Sequence, residues 1–159
     1  ISNEDEVVPL AREVEYAKGY LTIQKMRYKD KLEFEIDVEP SILNIPLIKL
    51  VLQPIIENAI YHGLKYKESK GLLQVKGFMK DGNAVLQVID NGVGMDEETL
   101  SHIYDKHKVN YHSNGVGVYN VQKRLKLYYG ENYGITYESE KGVGTTATIT
   151  IPGIQEESI

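Results

Sequence analysis

The chain is predicted to fold as an α+β domain, a two-layer sandwich with helices on one face of a mixed, mostly antiparallel sheet. Three observations predict it. Leu32, Phe34, Ile36 and Val38 alternate with Glu33, Glu35, Asp37 and Glu39, the period of a half-buried strand. Leu72 to Met79 and Ala84 to Ile89 flank Asp81-Gly82-Asn83, a strong hairpin signal. Ile135 to Ser139 and Thr145 to Ile151 form a second pair around Gly142-Val143-Gly144. Strands segregated into pairs favour α+β over an alternating parallel sheet.

The elements follow in order. Residues 1 to 6, with Asn3, Glu4, Asp5 and Glu6, read as a solvated lead-in. Leu10, Val14, Ala17 and Leu21 recur at helical steps, so a helix is expected from Leu10 to Tyr28, with Pro9 at a tolerated early position. Pro40 and Ser41 end the first strand. Asn44 is expected to cap a second helix with Pro46 in its first turn. Leu47, Ile48, Val51, Leu52, Ile55, Ala59 and Ile60 give that helix a broad buried face. Pro54 should kink or split it, and Gly63 should stop it. Lys65 to Lys70 is a charged connector. After the hairpin, Asp96 is placed to cap a short helix from Glu97 to Tyr104. Residues 105 to 114 are polar and lack an apolar period, the composition of a long functional or disordered loop. Val118, Val121, Leu125 and Leu127 mark a helix ending near Gly130, and an acidic tail follows Pro152. No internal repeat is present.

Composition narrows the function classes. The 159 residues suit one domain, and 18 Lys plus Arg against 23 Asp plus Glu leave a net charge of −5. Cysteine is absent, which removes disulfide and thiolate chemistry and fits a reducing compartment. An acidic chain with three arginines is a poor nucleic-acid binder. The apolar run from Leu47 to Ile56 is broken by Lys49, Gln53 and Pro54, so no segment reads as a membrane span. No signal peptide opens the chain, and its start at Ile1 suggests a piece of something longer.

Four short segments carry chemistry. In Gln53 to Gly63, Glu57 and Asn58 interrupt an apolar helix, and Asn58 shares a face with His62. Alone this reads as a polar helix exit; functionally, Asn58 offers a carbonyl oxygen to Mg²⁺, a hard cation. Asp90-Asn91-Gly92-Val93-Gly94 stands at a strand end. It is either a capped turn or a carboxylate reading an amino group, beside glycines that let backbone approach a flat ligand. Asn114-Gly115-Val116-Gly117-Val118 opens a helix, whose N–H groups suit a phosphate. Gly142-Val143-Gly144-Thr145-Thr146 alone is a hairpin turn. Other signatures fail. Neither G-x-G completes a dinucleotide fingerprint, no G-K-[ST] P-loop occurs, and Asp90 with Gly92 breaks the EF-hand spacing. There is no H-E-x-x-H and no G-x-S-x-G.

In order and spacing the four segments resemble the ATP-binding domain of two-component sensor histidine kinases, within the GHKL superfamily and its Bergerat fold. Glu57-Asn58-Ala59 resembles the N box, Asp90 to Met95 the first glycine box, Asn114 to Gly117 the second, and Gly142 to Thr146 the third. Leu52 to Gly63 resembles the L-Q-P-x-x-E-N-A-x-x-H-G of LytS/YesM-type kinases. Tyr20-Leu21-x-Ile23-Gln24-x-x-Arg27 and the helix Asn120 to Tyr129 are similar to theirs as well.

The resemblance implies roles. Asn58 would hold Mg²⁺ on the phosphates, and Glu57 would polarise the nucleophile. Asp90 would bind the adenine amino group, with Gly92, Gly94 and Met95 shaping the adenine wall. Residues 96 to 114 would be a lid. Asn114, Gly115, Val116, Gly117 and Val118 would form the phosphate hinge. His62 and Arg124 would join the nucleotide site, and Thr145 or Thr146 would complete the adenine pocket. The chemistry would be in-line phosphoryl transfer. Two departures stand out. Tyr61 replaces the Lys or Arg common three residues after the N-box Asn, leaving Lys65, Lys67, Lys106 or Arg124 to supply the charge. Pro54 occupies the place of the catalytic Glu of related ATPases, which favours phosphotransfer over hydrolysis.

His62, His102, His107 and His112 lie in the N box and lid, without a helical hairpin around them, so the acceptor domain is expected to lie elsewhere in the parent. Residues 1–30 would lead in from it, 31–153 would form the ATP-binding domain and 154–159 the tail. The expected whole is the cytoplasmic part of a membrane-anchored bacterial kinase, dimeric through its hairpin, with ATP or ADP and a cognate response regulator as partners. Alternatives are a GHKL ATPase, an anti-sigma-type serine kinase, and a non-enzymatic nucleotide-binding module.

Overall fold

The structure is a computed structural model that describes residues 7–105 and 117–153. A short strand β1 (Val7–Pro9) leads into α1 (Leu10–Tyr28) and β2 (Leu32–Val38). Then come β3 (Pro46–Ile48), α2 (Leu52–Asn58) and a wider π-helical stretch, Ala59–Leu64. The hairpin β4 (Gly71–Lys80) and β5 (Asn83–Asp90) is followed by α3 (Glu97–Ser101), α4 (Val118–Tyr129), β6 (Gly134–Glu140) and β7 (Gly144–Pro152).

Five strands form one sheet in the order β2-β4-β5-β7-β6. Only the β2–β4 pair in this sheet is parallel; β4–β5, β5–β7 and β6–β7 are antiparallel. The sheet is therefore mixed and mostly antiparallel, as the strand patterns predict. Strand alternation sends Leu73, Val75, Leu86, Val88, Ala147 and Ile149 to the inner face. There they meet Leu21 of α1, Ile55 and Ile56 of α2, and Val121 and Leu125 of α4 in one core. Among the described residues no helix is long and apolar enough to cross a membrane.

The span of α1 is the predicted one, but the second helix differs. Residues 46–48 are extended and pair antiparallel with β1, and helix begins only at Leu52. The physical reason lies in the opening of α1. Leu10 N–H donates to Ile45 O and Ala11 N–H to Leu43 O, both at 2.9 Å. Those carbonyls serve another helix, which leaves no helical ladder from Asn44 onward. Pro54 also produces no break. It is the third residue of α2, in the first turn, where a missing N–H breaks no ladder bond. Loosening comes later, in the π stretch that carries on past Gly63 to Leu64. α3 is shorter than expected, ending at Ser101.

A buried carboxylate fixes the start of α2. Glu13 of α1 is 4% exposed. Its Oε1 accepts from Val51 N–H at 2.8 Å and Leu52 N–H at 3.2 Å, and its Oε2 accepts from Leu50 N–H at 3.2 Å. These are N–H groups that a helix start leaves without intrahelical partners. Arg124 of α4 holds the same segment from the other side, donating Nη1 to Leu50 O at 3.1 Å and Nη2 to Lys49 O at 2.6 Å. Leu50 sits between them at φ 61°, a left-handed conformation costly for a leucine.

Candidate functional site

The site is built where β5 ends. Asp90 is its last residue and, by alternation, points to the helix side, where it is 5% exposed. Burial pushes its carboxyl up from 3.8 to about 6, opposed by backbone N–H groups of Gly92 and Thr145. The Gly92 N–H donates to Oδ1 at 2.8 Å.

Two glycines make this packing possible. A Cβ on Gly63 would stand 2.8 Å from Asp90 Oδ1, and one on Gly92 would strike the backbone of Gly63. The end of the N-box helix and the strand-end turn thus touch through bare backbone, and Val93 N–H donates to Gly63 O at 3.1 Å. The β6–β7 turn closes the third side. Gly142 N–H donates to Val93 O at 2.7 Å. Ser139 Oγ accepts from Met95 N–H at 2.8 Å, donates to Gly144 O at 3.0 Å and lies 2.7 Å from Thr145 Oγ1.

A cavity of about 820 Å³ opens over this junction. That volume suits a nucleotide-sized ligand. Asn58, Ala59 and His62 form one wall, and Gly117, Val118, Tyr119, Asn120 and Lys123 of α4 form another. Asp90, Gly94, Met95 and Thr145 line it together with apolar Val88 and Ala147. Tyr137 lines it as well, its phenol pushed strongly up by burial and secondarily by Tyr104. Its buried hydroxyl finds no hydrogen-bonding geometry with any described group, although the Asn58 carboxamide lies beside it and opposes that shift. An apolar slot with a buried acceptor at its floor has the marks of a built ligand site.

Residues 44–155 match the family described as Histidine kinase-, DNA gyrase B-, and HSP90-like ATPase. The chain belongs to this family. It is 31% identical over 152 residues to Sensor histidine kinase YesM of Bacillus subtilis, covering 96% of this chain and 25% of that protein. It is 35% identical over 130 residues to Sensor protein LytS of Oceanobacillus iheyensis, covering 80% and 22%. The chain thus spans about a quarter of the length of these curated relatives. The fold agrees with solved kinase domains. The mycobacterial sensor histidine kinase MprB superposes with a TM-score of 0.66 at 19% identity, covering 93% of this chain and 97% of that one. A nucleotide-free catalytic domain of histidine kinase ThkA gives 0.67 at 17%, covering 93% and 98%.

In this ATPase-type domain the predicted site residues fall into three groups. Asn58, His62, Asp90, Gly94, Met95, Gly117, Val118 and Thr145 line the cavity together. Gly92 stands one step behind, as the backing of Gly63. Asn114, Gly115 and Val116, with residues 106 to 113 of the expected lid, lie outside the described residues.

Three expectations meet a different geometry. Arg124 does not line the cavity, because its guanidinium holds the carbonyls of Lys49 and Leu50. Thr146 points to the opposite face of the sheet, between Ile89 and Glu138. Glu57 does not line the cavity either, since it accepts from Gln53 Nε2 at 3.0 Å and faces α1. There burial, and after it the Glu57 charge, push the Tyr20 phenol up to about 12. Sequence reasoning missed Asn120, Lys123 and Tyr137. The first two were readable as positions three and six after Gly117 on one helix wall. Tyr137 was readable as an inward position of β6.

Proposed function

We propose that this domain binds ATP with Mg²⁺ and presents the γ-phosphate to a histidine on a separate acceptor segment of a sensor kinase. The observation that carries the reading is the buried Asp90 carboxyl, packed without intervening side chains against Gly63 and Gly92 at the floor of the cavity. A carboxylate there accepts from an exocyclic amino group, and the bare backbone around it admits a flat ring. Val88, Ala147 and Thr145 add apolar and hydroxyl contacts. The helix start at Gly117, which carries no side-chain cap, faces the same cavity and suits the phosphates.

Among the described residues no cluster of three His, Cys, Asp or Glu could hold a metal by itself. Asn58 fits Mg²⁺ as a single protein oxygen, with phosphate and water oxygens completing the shell. The cation would supply neutralisation of phosphate charge. The chain's own work is positioning: Asp90 fixes the base, and the α2 and α4 walls orient the phosphates. In the transfer, the terminal P–O bond to ADP breaks and a P–N bond to the acceptor imidazole forms. Pro54, four residues before Asn58, stands where related ATPases carry a catalytic Glu and favours transfer over hydrolysis at the N box. The proposal extends to a membrane-anchored, dimeric parent with a cognate response regulator. One structural neighbour, ThkA, was solved in complex with the response regulator TrrA, at a TM-score of 0.68.

Calorimetric titration with ATP, ADP and GTP, with and without Mg²⁺, tests this. Binding of adenine nucleotides in preference to GTP is the expected result. No ATP or ADP binding up to millimolar concentration would overturn the reading.

A further inference from the structure

A triphosphate brings several negative charges into the cavity, and position 61, one turn after Asn58, holds a tyrosine, which offers no positive charge. The structure narrows the replacements. Lys65 Nζ donates to Tyr61 Oη at 3.3 Å and lies 4.3 Å from the Tyr61 ring centroid, and Lys65 does not line the cavity. Arg124 is committed to the Lys49 and Leu50 carbonyls. Lys67 is not among the lining residues. Lys106 lies outside the described residues. Among the described residues one lysine lines the cavity, and it is Lys123.

Lys123 stands on α4, one turn beyond Asn120, on the wall that begins with the uncapped helix start at Gly117. Its ammonium makes no hydrogen bond or ion pair with another described residue, so nothing described competes for it. Lysine is a compact charge on a flexible stem, able to follow a terminal phosphate rather than lock a planar group. Exposed at the cavity rim, it acts through a screened interaction that discriminates charge more than it anchors the ligand.

We propose that Lys123 is the cation that meets the outermost phosphate and makes the site select nucleotides by phosphate number. This rests on the reading of the cavity as an adenine-nucleotide site. Binding through Asp90 would then set the base, and Lys123 would report the far end of the phosphate chain.

The test compares ATP, ADP and adenosine on the wild-type chain and on the variants Lys123→Met, Lys123→Arg and Lys65→Met, at low and high salt. Calorimetry reads affinity and circular dichroism verifies folding. Lys123→Met should weaken ATP about tenfold and ADP about threefold, sizes expected of one partly screened charge pair. Adenosine affinity should not change, Lys123→Arg should restore most of the loss, and part of the salt dependence for ATP should vanish in Lys123→Met. An unchanged ATP affinity in Lys123→Met overturns the assignment, as does an ATP-selective loss in Lys65→Met alone. Equal losses for ATP and adenosine also overturn it, since they mark a structural role. If the wild type binds neither ATP nor adenosine, the nucleotide reading itself fails, and that result is distinct from the others.

Discussion

Two helices of this domain begin near each other in function but are finished in opposite ways. The segment leading into α2 presents its N–H groups to Glu13, a buried carboxylate of the chain itself. The start of α4 carries Gly117 at its cap, has no side-chain cap among the described residues and opens into the cavity. Both starts favour negative charge, because a helix start leaves N–H groups without intrahelical partners at the positive end of its dipole. One is satisfied internally and ties α1 to the N-box helix. The other faces the cavity, where the proposed phosphates would lie.

The strongest way to break this contrast is at Glu13. Glu13→Ala leaves the N–H groups of Leu50, Val51 and Leu52 without their acceptor and should cost about 3 kcal/mol of stability. Chemical denaturation measures it. Glu13→Gln, which keeps one carbonyl oxygen, should lose less. Nucleotide affinity of the folded fraction should hold, since Glu13 does not line the cavity.

Asp90 comes next. Its carboxyl is raised from 3.8 to about 6, so the folded state holds the proton more tightly than the unfolded chain. Its contribution to stability is full below about pH 4 and is lost as pH rises through about 6, at most about 3 kcal/mol. Asp90→Asn should flatten that loss and be the more stable protein at neutral pH. Adenine binding should move the other way, weakened by about 1–3 kcal/mol as a charged hydrogen bond is removed. Wild-type affinity should likewise fall as the solution is acidified through pH 6. A variant less stable at pH 7.5 than the wild type would contradict the burial argument.

Much of this was legible in the residues, for physical reasons that differ by element. The stripe Leu10, Val14, Ala17, Leu21 and the alternation of β2 are local periodicities, and both elements stand where the patterns put them. Asp90 was legible because a carboxylate followed by two glycines at a strand end is locally unusual. Leu47, Ile48 and Val51 misled, because their spacing is helical while residues 43 and 45 give their carbonyls to α1. Glu13 gave no signal at all, being one glutamate on a helix with others. Arg124 was expected at the nucleotide site, and the structure shows it donating to the carbonyls of Lys49 and Leu50. In both cases the partner is a backbone group distant in sequence, which no spacing rule reports. Gly63 shows the same limit: its need to lack a side chain is set by Asp90, from another element.

The α4 start can be given what α2 has. Gly117 has φ −102° and ψ 178°, an extended conformation open to any residue, and among the described residues a Cβ there would meet nothing within 4 Å. Gly117→Asp should therefore be accommodated without strain. Its carboxylate can accept from the N–H groups of the first turn, which should leave stability unchanged or raise it by a few tenths of a kcal/mol over glycine. The same charge then occupies the place proposed for phosphate, so ATP affinity should fall about tenfold, with adenosine little affected. Gly117→Asn caps the helix without the charge and should retain most of the ATP binding. If both variants bind ATP like the wild type, the open helix start is not where the phosphates lie, and the contrast between the two helices loses its functional meaning.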